Sequence, residues 1–109
     1  MHELQQYVAE TADRLGLHAT PATLLLDLQA RVGALAGEVV RGTEHGRRPF
    51  RPSRAWEALL GDLAFAVVTL ADQTGVDTDR AVRVAADRMY RSATSQRAQP
   101  AAEPWPFSG

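Results

Sequence analysis

The sequence predicts an all-α fold, a bundle of four helices, on three observations. Apolar residues recur at helix-face spacing in four separate segments. Residues that start or stop helices bound these segments, among them Gly16, Thr20-Pro21, Ser53 and Gly75-Val76-Asp77. The third segment is apolar around most of its circumference, which suits an element packed on more than one side.

The first helix is expected over residues 3–15, with Leu4, Val8, Ala12 and Leu15 on one stripe, and Gly16 ends it because glycine tolerates left-handed backbone. Thr20-Pro21 opens the second. The threonine hydroxyl can accept from a free amide, and proline at the first helical position loses no hydrogen bond. Leu25, Leu28, Val32, Leu35, Ala36 and Val39 then form one expected inward face, and the helix ends near Arg41-Gly42. Ser53 is the expected cap of the third helix, which runs to Leu70-Ala71 and stops at Gly75. Asp77 is the expected cap of the fourth, which reaches about Ala93 and turns Ala81, Val82, Ala85 and Met89 inward. Residues 1–94 thus form one domain. Residues 95–109, rich in proline, alanine and polar residues without period, form a flexible tail.

A chain of 109 residues supports one small domain, for which association would enlarge a modest core. It contains no cysteine, so disulfides and thiolate metal sites are excluded. All twelve basic residues are arginine, which fits a GC-rich coding bias and carries no functional weight. A formal charge of −1 gives no overall attraction to nucleic acid or anionic membrane. No apolar run approaches the ~20 residues of a membrane span, and no basic region precedes an apolar core at the N-terminus. A cytoplasmic protein without a membrane partner is expected.

Between Ala58 and Ala71 only Asp62 and Thr69 are polar beyond Gly61. Such a surface needs neighbours on two sides. The expected arrangement is a homo-oligomer through helices two and three, a dimer or a dimer of dimers; the alternative is a monomer with helix three central in its own bundle.

These two helices carry a resemblance. The second reads Leu24-Leu25-Leu26-Asp27-Leu28-Gln29-Ala30-Arg31-Val32-Gly33-Ala34-Leu35-Ala36. The third reads Glu57-Ala58-Leu59-Leu60-Gly61-Asp62-Leu63-Ala64-Phe65 and is followed by Gly75-Val76-Asp77. The layout over residues 18–92 resembles the MazG-like family of all-α nucleoside triphosphate pyrophosphohydrolases, especially its dCTP-pyrophosphatase-like members. In that family the second helix carries E-x-x-E and the third E-x-x-D, before a "GVD" helix start. The resemblance implies a MazG-like four-helix bundle, magnesium held by four acids, release of pyrophosphate from a nucleoside triphosphate, and a dimer or dimer of dimers. The four ligand positions fall here on Arg31, Ala34, Leu59 and Asp62, so one acid stands where the family has four. A family lysine and asparagine near the phosphates correspond to Ala85 and Met89.

Magnesium prefers several carboxylates and retained waters in octahedral geometry. Two acids three residues apart share a helix face, so E-x-x-E opposite E-x-x-D converges on one ion. A guanidinium, a methyl group, an isobutyl group and one carboxylate do not. Asp62 is the single remaining metal donor, and no cofactor is expected. Asp62 is expected to be partly buried and to pair with Arg31, the guanidinium replacing the cation between the helices. Asp27 offers Arg31 a rival partner at i,i+4 spacing. Asp27, Glu38, Glu57 and Asp72 do not rebuild a cluster, and His2, His18 and His45 show no ligand spacing.

Arg47, Arg48, Arg51 and Arg54 fall within eight residues, near Phe50 and Trp56. They can clamp a phosphate or stack on a base, or simply be a solvated connector. Trp105-Pro106-Phe107 is more apolar than a spacer requires; it docks on a partner or its own bundle, or is a plain tail. The reading as a whole is a MazG-like protein that has lost catalysis and acts by binding a partner protein or a nucleotide. Its alternatives are an active magnesium-dependent pyrophosphohydrolase and an anion- or nucleic-acid-binding module working through the arginine loop.

Overall fold

The computed structural model describes residues 2–98. Among them are four α-helices and no strand: α1 (His2–Leu15), α2 (Pro21–Gly42), α3 (Arg54–Gln73) and α4 (Thr78–Ala98). The chain divides into two compact units, Met1–Thr78 and Asp79–Gly109.

Helix boundaries in the first unit follow local backbone chemistry. After α1, Gly16 takes φ 64°, and the Leu17 amide donates to Ala12 O at 2.9 Å. After α3, Gly75 takes φ 75° and Val76 donates to Ala71 O at 2.8 Å. Both are six-to-one closures that satisfy carbonyls at a helix end, and both need a residue without a Cβ penalty at positive φ. Thr20 caps α2 as expected: its Oγ1 accepts from the Thr23 amide at 3.2 Å, with Pro21 at the first helical position. Ser53 precedes α3 as expected but does not cap it with its side chain. Its hydroxyl instead donates to Glu38 Oε1 at 3.3 Å, where a carboxylate competes with the helix amides.

α3 packs against α1 and against α2. The α2–α3 pair is antiparallel: Arg31 lies opposite Asp62 and Glu38 opposite Ser53, so the numbers rise on one helix as they fall on the other. Leu24 and Leu35 of α2 are buried, as are Ala66, Val68 and Thr69 of α3 and Val8 and Ala12 of α1. The Thr69 hydroxyl donates to Phe65 O at 2.8 Å, so its burial leaves no orphaned group.

The buried faces differ from the expected ones. On α2, Leu28 and Leu35 do turn inward, but Leu25, Val32 and Val39 are exposed. Leu24 and Arg31 take the places of Leu25 and Val32, joining Leu28 and Leu35 on the less exposed side of α2. On α1, Leu4 and Leu15 are exposed, because only the middle of that helix, around Val8 and Ala12, is covered.

The second unit is described through α4 alone. Ala81, Val82 and Met89, expected inward, are exposed, since a single helix cannot bury its own stripe. One ion pair on α4 is local, Arg83 Nε to Asp79 Oδ2 at 2.9 Å. This hydrogen bond, with the Asp79 charge, raises the Arg83 pKa above its ordinary value. The helix runs to Ala98, past the expected end near Ala93, so residues 95–98 are helical rather than tail. No glycine or proline interrupts the chain until Pro100. Trp105-Pro106-Phe107 lies outside the described residues.

One tertiary contact was invisible in the sequence. The Gln5 side chain donates from Nε2 to Val76 O at 2.9 Å and accepts at Oε1 from the Thr78 amide at 2.8 Å. This carboxamide acts like a short strand pair on the segment leading into α4. Replacing Gln5 by alanine leaves both backbone groups unpaired. We expect a loss of about 1–2 kcal/mol, read as a lower denaturation midpoint at unchanged slope.

Candidate functional site

The resemblance directs attention to the middle of the α2–α3 pair. Arg31 Nε donates to Asp27 Oδ2 at 3.0 Å, one turn earlier on α2. Arg31 Nη1 stands 3.6 Å from Asp62 Oδ2 across the seam, within ion-pair range but too long for a hydrogen bond. The i,i+4 partner is therefore the closer one, because both ends are carried by a single rigid helix.

Asp62 is not buried. Its side chain is 56 % exposed, against 39 % for Arg31 and 47 % for Asp27. The expected partial burial fails because Asp62 lies at the edge of the seam, where water still reaches its carboxylate. Ala34 is exposed and Leu59 half-buried. The four family ligand positions thus offer one carboxylate, already within reach of a guanidinium, and no other anionic donor. Magnesium does not fit this donor set: neither a methyl nor an isobutyl group has a lone pair, and Arg31 repels the ion. Among the described residues no group of three or more His, Asp or Glu side chains could hold a metal ion.

The remaining acids that bear on this region serve other partners. Glu38 accepts from Arg41 Nη2 at 2.7 Å and from the Ser53 hydroxyl. The Arg41 hydrogen bond, opposed by partial desolvation, holds its carboxyl below the usual glutamate range. His18 Nε2 pairs with Asp13 Oδ1, and its Nδ1 meets Gln73 Nε2 at 3.1 Å, so it ties the α1–α2 loop to α3.

The segment 43–53 contains an ordered turn. Thr43 is buried and closes the end of α2. Its hydroxyl donates to Val39 O at 2.7 Å and accepts from the Gly46 amide at 3.0 Å, and its carbonyl accepts from the Arg47 and Arg48 amides. Glu44 and His45 adopt φ 48° and 61°, an uncommon conformation for residues with side chains. Phe50 meets Trp56 edge-on with ring centroids 4.8 Å apart, and the Phe50 ring also lies against Gly42. Of the four loop arginines, Arg48 is paired with Glu44 at 2.6 Å. Arg47, Arg51 and Arg54 are exposed and have no ion-pair partner among the described residues.

A cleft of about 350 Å³, not anticipated from sequence, opens beside the Arg31–Asp27 pair. Leu17, His18, Thr23, Leu24, Phe65 and Thr69 contribute to its walls. No sequence signal marks it, because its walls come from three parts of the chain and have no common spacing.

Comparison with protein-family models, with curated proteins and with solved structures finds no match to this chain. Among the described residues no single helix is long and apolar enough to cross a membrane.

The arrangement sets two measurable expectations. Double-mutant cycles should give Arg31–Asp27 a coupling of about 0.3–0.5 kcal/mol and Arg31–Asp62 a smaller one, since both pairs are solvent-screened. Glu38 has a folded pKa below its unfolded value, so its contribution is present above the ordinary glutamate range and lost as pH falls through the folded pKa. Urea denaturation at neutral and acid pH should therefore show a smaller acid loss in Glu38→Gln than in the parent chain.

Proposed function

We propose that this chain is a non-catalytic binding protein built on a MazG-like helical frame, in which a guanidinium has taken over the charge position of a divalent cation. The observation that carries the reading is Arg31 set between Asp27 and Asp62, at 3.0 and 3.6 Å. A cation bound between acids on facing helices neutralises them and ties the helices together. Arg31 places a permanently charged group at the same position, with a weak, solvent-screened attraction for Asp62 across the seam. Unlike a metal, it supplies no Lewis acid and no activated water. What remains for such a frame is recognition: holding a partner protein, or a nucleotide without hydrolysing it.

A second reading has its own observation. Arg47, Arg51 and Arg54 have no ion-pair partner among the described residues and flank a turn anchored by buried Thr43 and the Phe50–Trp56 contact. Three exposed guanidinium groups on an ordered support suit contact with a phosphate or another polyanion. This favours an anionic ligand at the loop and requires no catalysis.

Calorimetry and a pyrophosphate-release assay separate these readings from an active hydrolase. The expected result is no magnesium- or manganese-dependent heat with nucleoside triphosphates and no pyrophosphate above background; turnover at any nucleotide would refute the proposal. The variant carrying Arg31→Glu, Ala34→Glu and Leu59→Glu together should gain affinity for manganese if these positions converge as the frame requires. A folded triple variant without metal affinity would remove the MazG-like frame from the argument. Binding of polyanions that weakens steeply with salt, and is lost in Arg47→Ala with Arg51→Ala, would decide for the loop.

A further inference from the structure

We infer that the cleft between the α1–α2 loop, α2 and α3 is a binding site for a free α-amino acid with an apolar side chain. Leu17, Leu24 and Phe65 give the cleft a mainly apolar wall, and Asp27 and Arg31 stand on its α2 side as a bonded pair. Its volume of about 350 Å³ falls at the lower end of the ~300–1,000 Å³ usual for small-molecule sites. An apolar hollow with a few polar groups gathered at one place is the pattern of such sites. Leu17 keeps 45 % of its surface exposed, so hydrocarbon there is open to a ligand. Of the four positions matched to family metal ligands only Arg31 lines the cleft, and the inference does not rest on the MazG-like reading.

The walls are held in place without a ligand. His18, next to Leu17, is fastened at both ring nitrogens, Nε2 to Asp13 and Nδ1 to Gln73 Nε2. Those contacts tie the loop to α1 and α3, so Leu17 is carried on a braced segment. They also occupy the imidazole nitrogens, which therefore add no donor or acceptor to the cleft. Thr69 lines the inner wall at 4 % exposure, and its hydroxyl proton goes to Phe65 O. No donor is left unpaired there, and the wall suits hydrocarbon. A site braced before binding loses less entropy when its ligand arrives.

Charge selects the head group. Arg31 Nε donates to Asp27 Oδ2 at 3.0 Å, which leaves Asp27 Oδ1 as an acceptor and both Arg31 Nη groups as donors. Nη1 lies 3.6 Å from Asp62 Oδ2, too far for a hydrogen bond. Both side chains are partly exposed, so a ligand can reach them. A purely cationic head at Asp27 also meets Arg31, and a purely anionic head at Arg31 also meets Asp27. In each case repulsion offsets the attraction. A head that carries both signs on neighbouring atoms escapes this. Its ammonium donates to Asp27 Oδ1 and its carboxylate accepts from an Arg31 Nη, so its charges lie against the pair in opposite order. An α-amino acid has that head, and its side chain springs from the carbon between the two charges. Leu17, Leu24 and Phe65 are the surface that such a side chain covers.

Calorimetry and ligand-observed NMR on the full chain test this with L-leucine and L-phenylalanine against glycine, phenethylamine and phenylpropionate. Glycine lacks the side chain, and each of the other two lacks one charge. Both amino acids should bind at least tenfold more tightly than any of these three. Leu17→Ala should weaken L-phenylalanine at least fivefold while far-UV circular dichroism keeps its helical signal. Asp27→Asn should do the same and also remove the advantage of L-phenylalanine over phenylpropionate, a change that loss of packing alone does not produce. Where a variant loses its fold, the ligand panel on the parent chain decides by itself. No amino-acid binding at about 10 mM, or phenethylamine or phenylpropionate bound as tightly as L-phenylalanine, would overturn the assignment. Unchanged affinity in a folded Asp27→Asn chain would overturn it too. Pyrophosphate release is touched by none of these outcomes, so this inference and the proposed function fail separately.

Discussion

Everything described in the first unit depends on α3 being packed from two directions at once. α1 contributes Val8 and Ala12, α2 contributes Leu24 and Leu35, and α3 buries Ala66, Val68 and Thr69 between them. A helix in that position tolerates few polar side chains, and those present must be satisfied locally or reach water. Thr69 takes the first course through the carbonyl of Phe65. Asp62 takes the second: it stays half-exposed at the seam edge and meets Arg31 across it. The ion pair is a consequence of where a carboxylate can survive on this helix, not a support that the packing requires. Exposed pairs of this kind add little stability.

The ends of α1 and α3 and the start of α2 were legible in the sequence because they are set by local chemistry. Gly16 and Gly75 mark ends where positive φ is needed, and Thr20-Pro21 supplies both a capping oxygen and a preset φ. Faces were less legible. α2 carries two stripes one residue apart with the same seven-residue period, the mixed Leu24–Arg31–Glu38 and the wholly aliphatic Leu25–Val32–Val39. Periodicity alone cannot say which meets α3, and the more hydrophobic stripe is the exposed one. Gln5 was illegible for a different reason: its partners lie 71 and 73 residues away, and nothing near it in the chain signals them. At the four candidate positions the sequence showed a single acid, Asp62, beside Arg31, Ala34 and Leu59. That Asp27 would stand closer to Arg31 than Asp62 does followed only from the geometry, since a rigid i,i+4 pair outcompetes a contact across a seam.

The arginine-only composition acquires physical meaning at particular positions rather than as a total. At position 31 a planar guanidinium can face two carboxylates from different directions, which a compact ammonium on a flexible stem does less well. At position 41 the same group reaches back one turn to Glu38, which in turn holds Ser53, so the end of α2 is linked to the start of α3. The intervening turn is closed by Thr43 and carries two non-glycine residues at positive φ. Such backbone persists only where its surroundings determine it. Here the hydroxyl of buried Thr43 and the edge-on contact of Phe50 with Trp56 are those surroundings.

The two sides of the α2–α3 pair bear different chemical loads, and the seam separates them. Thr23 and Phe65, one step before Leu24 and Ala66, line the cleft together with Asp27 and Arg31. Residues one step after the seam are aliphatic and exposed. A one-residue offset in a helix thus sorts charge to one side and hydrocarbon to the other. This sorting allows the two surfaces to change independently. Substitutions at Arg31, Ala34 or Asp62 alter electrostatics on the cleft side without touching Leu25, Val32, Leu60 or Val67.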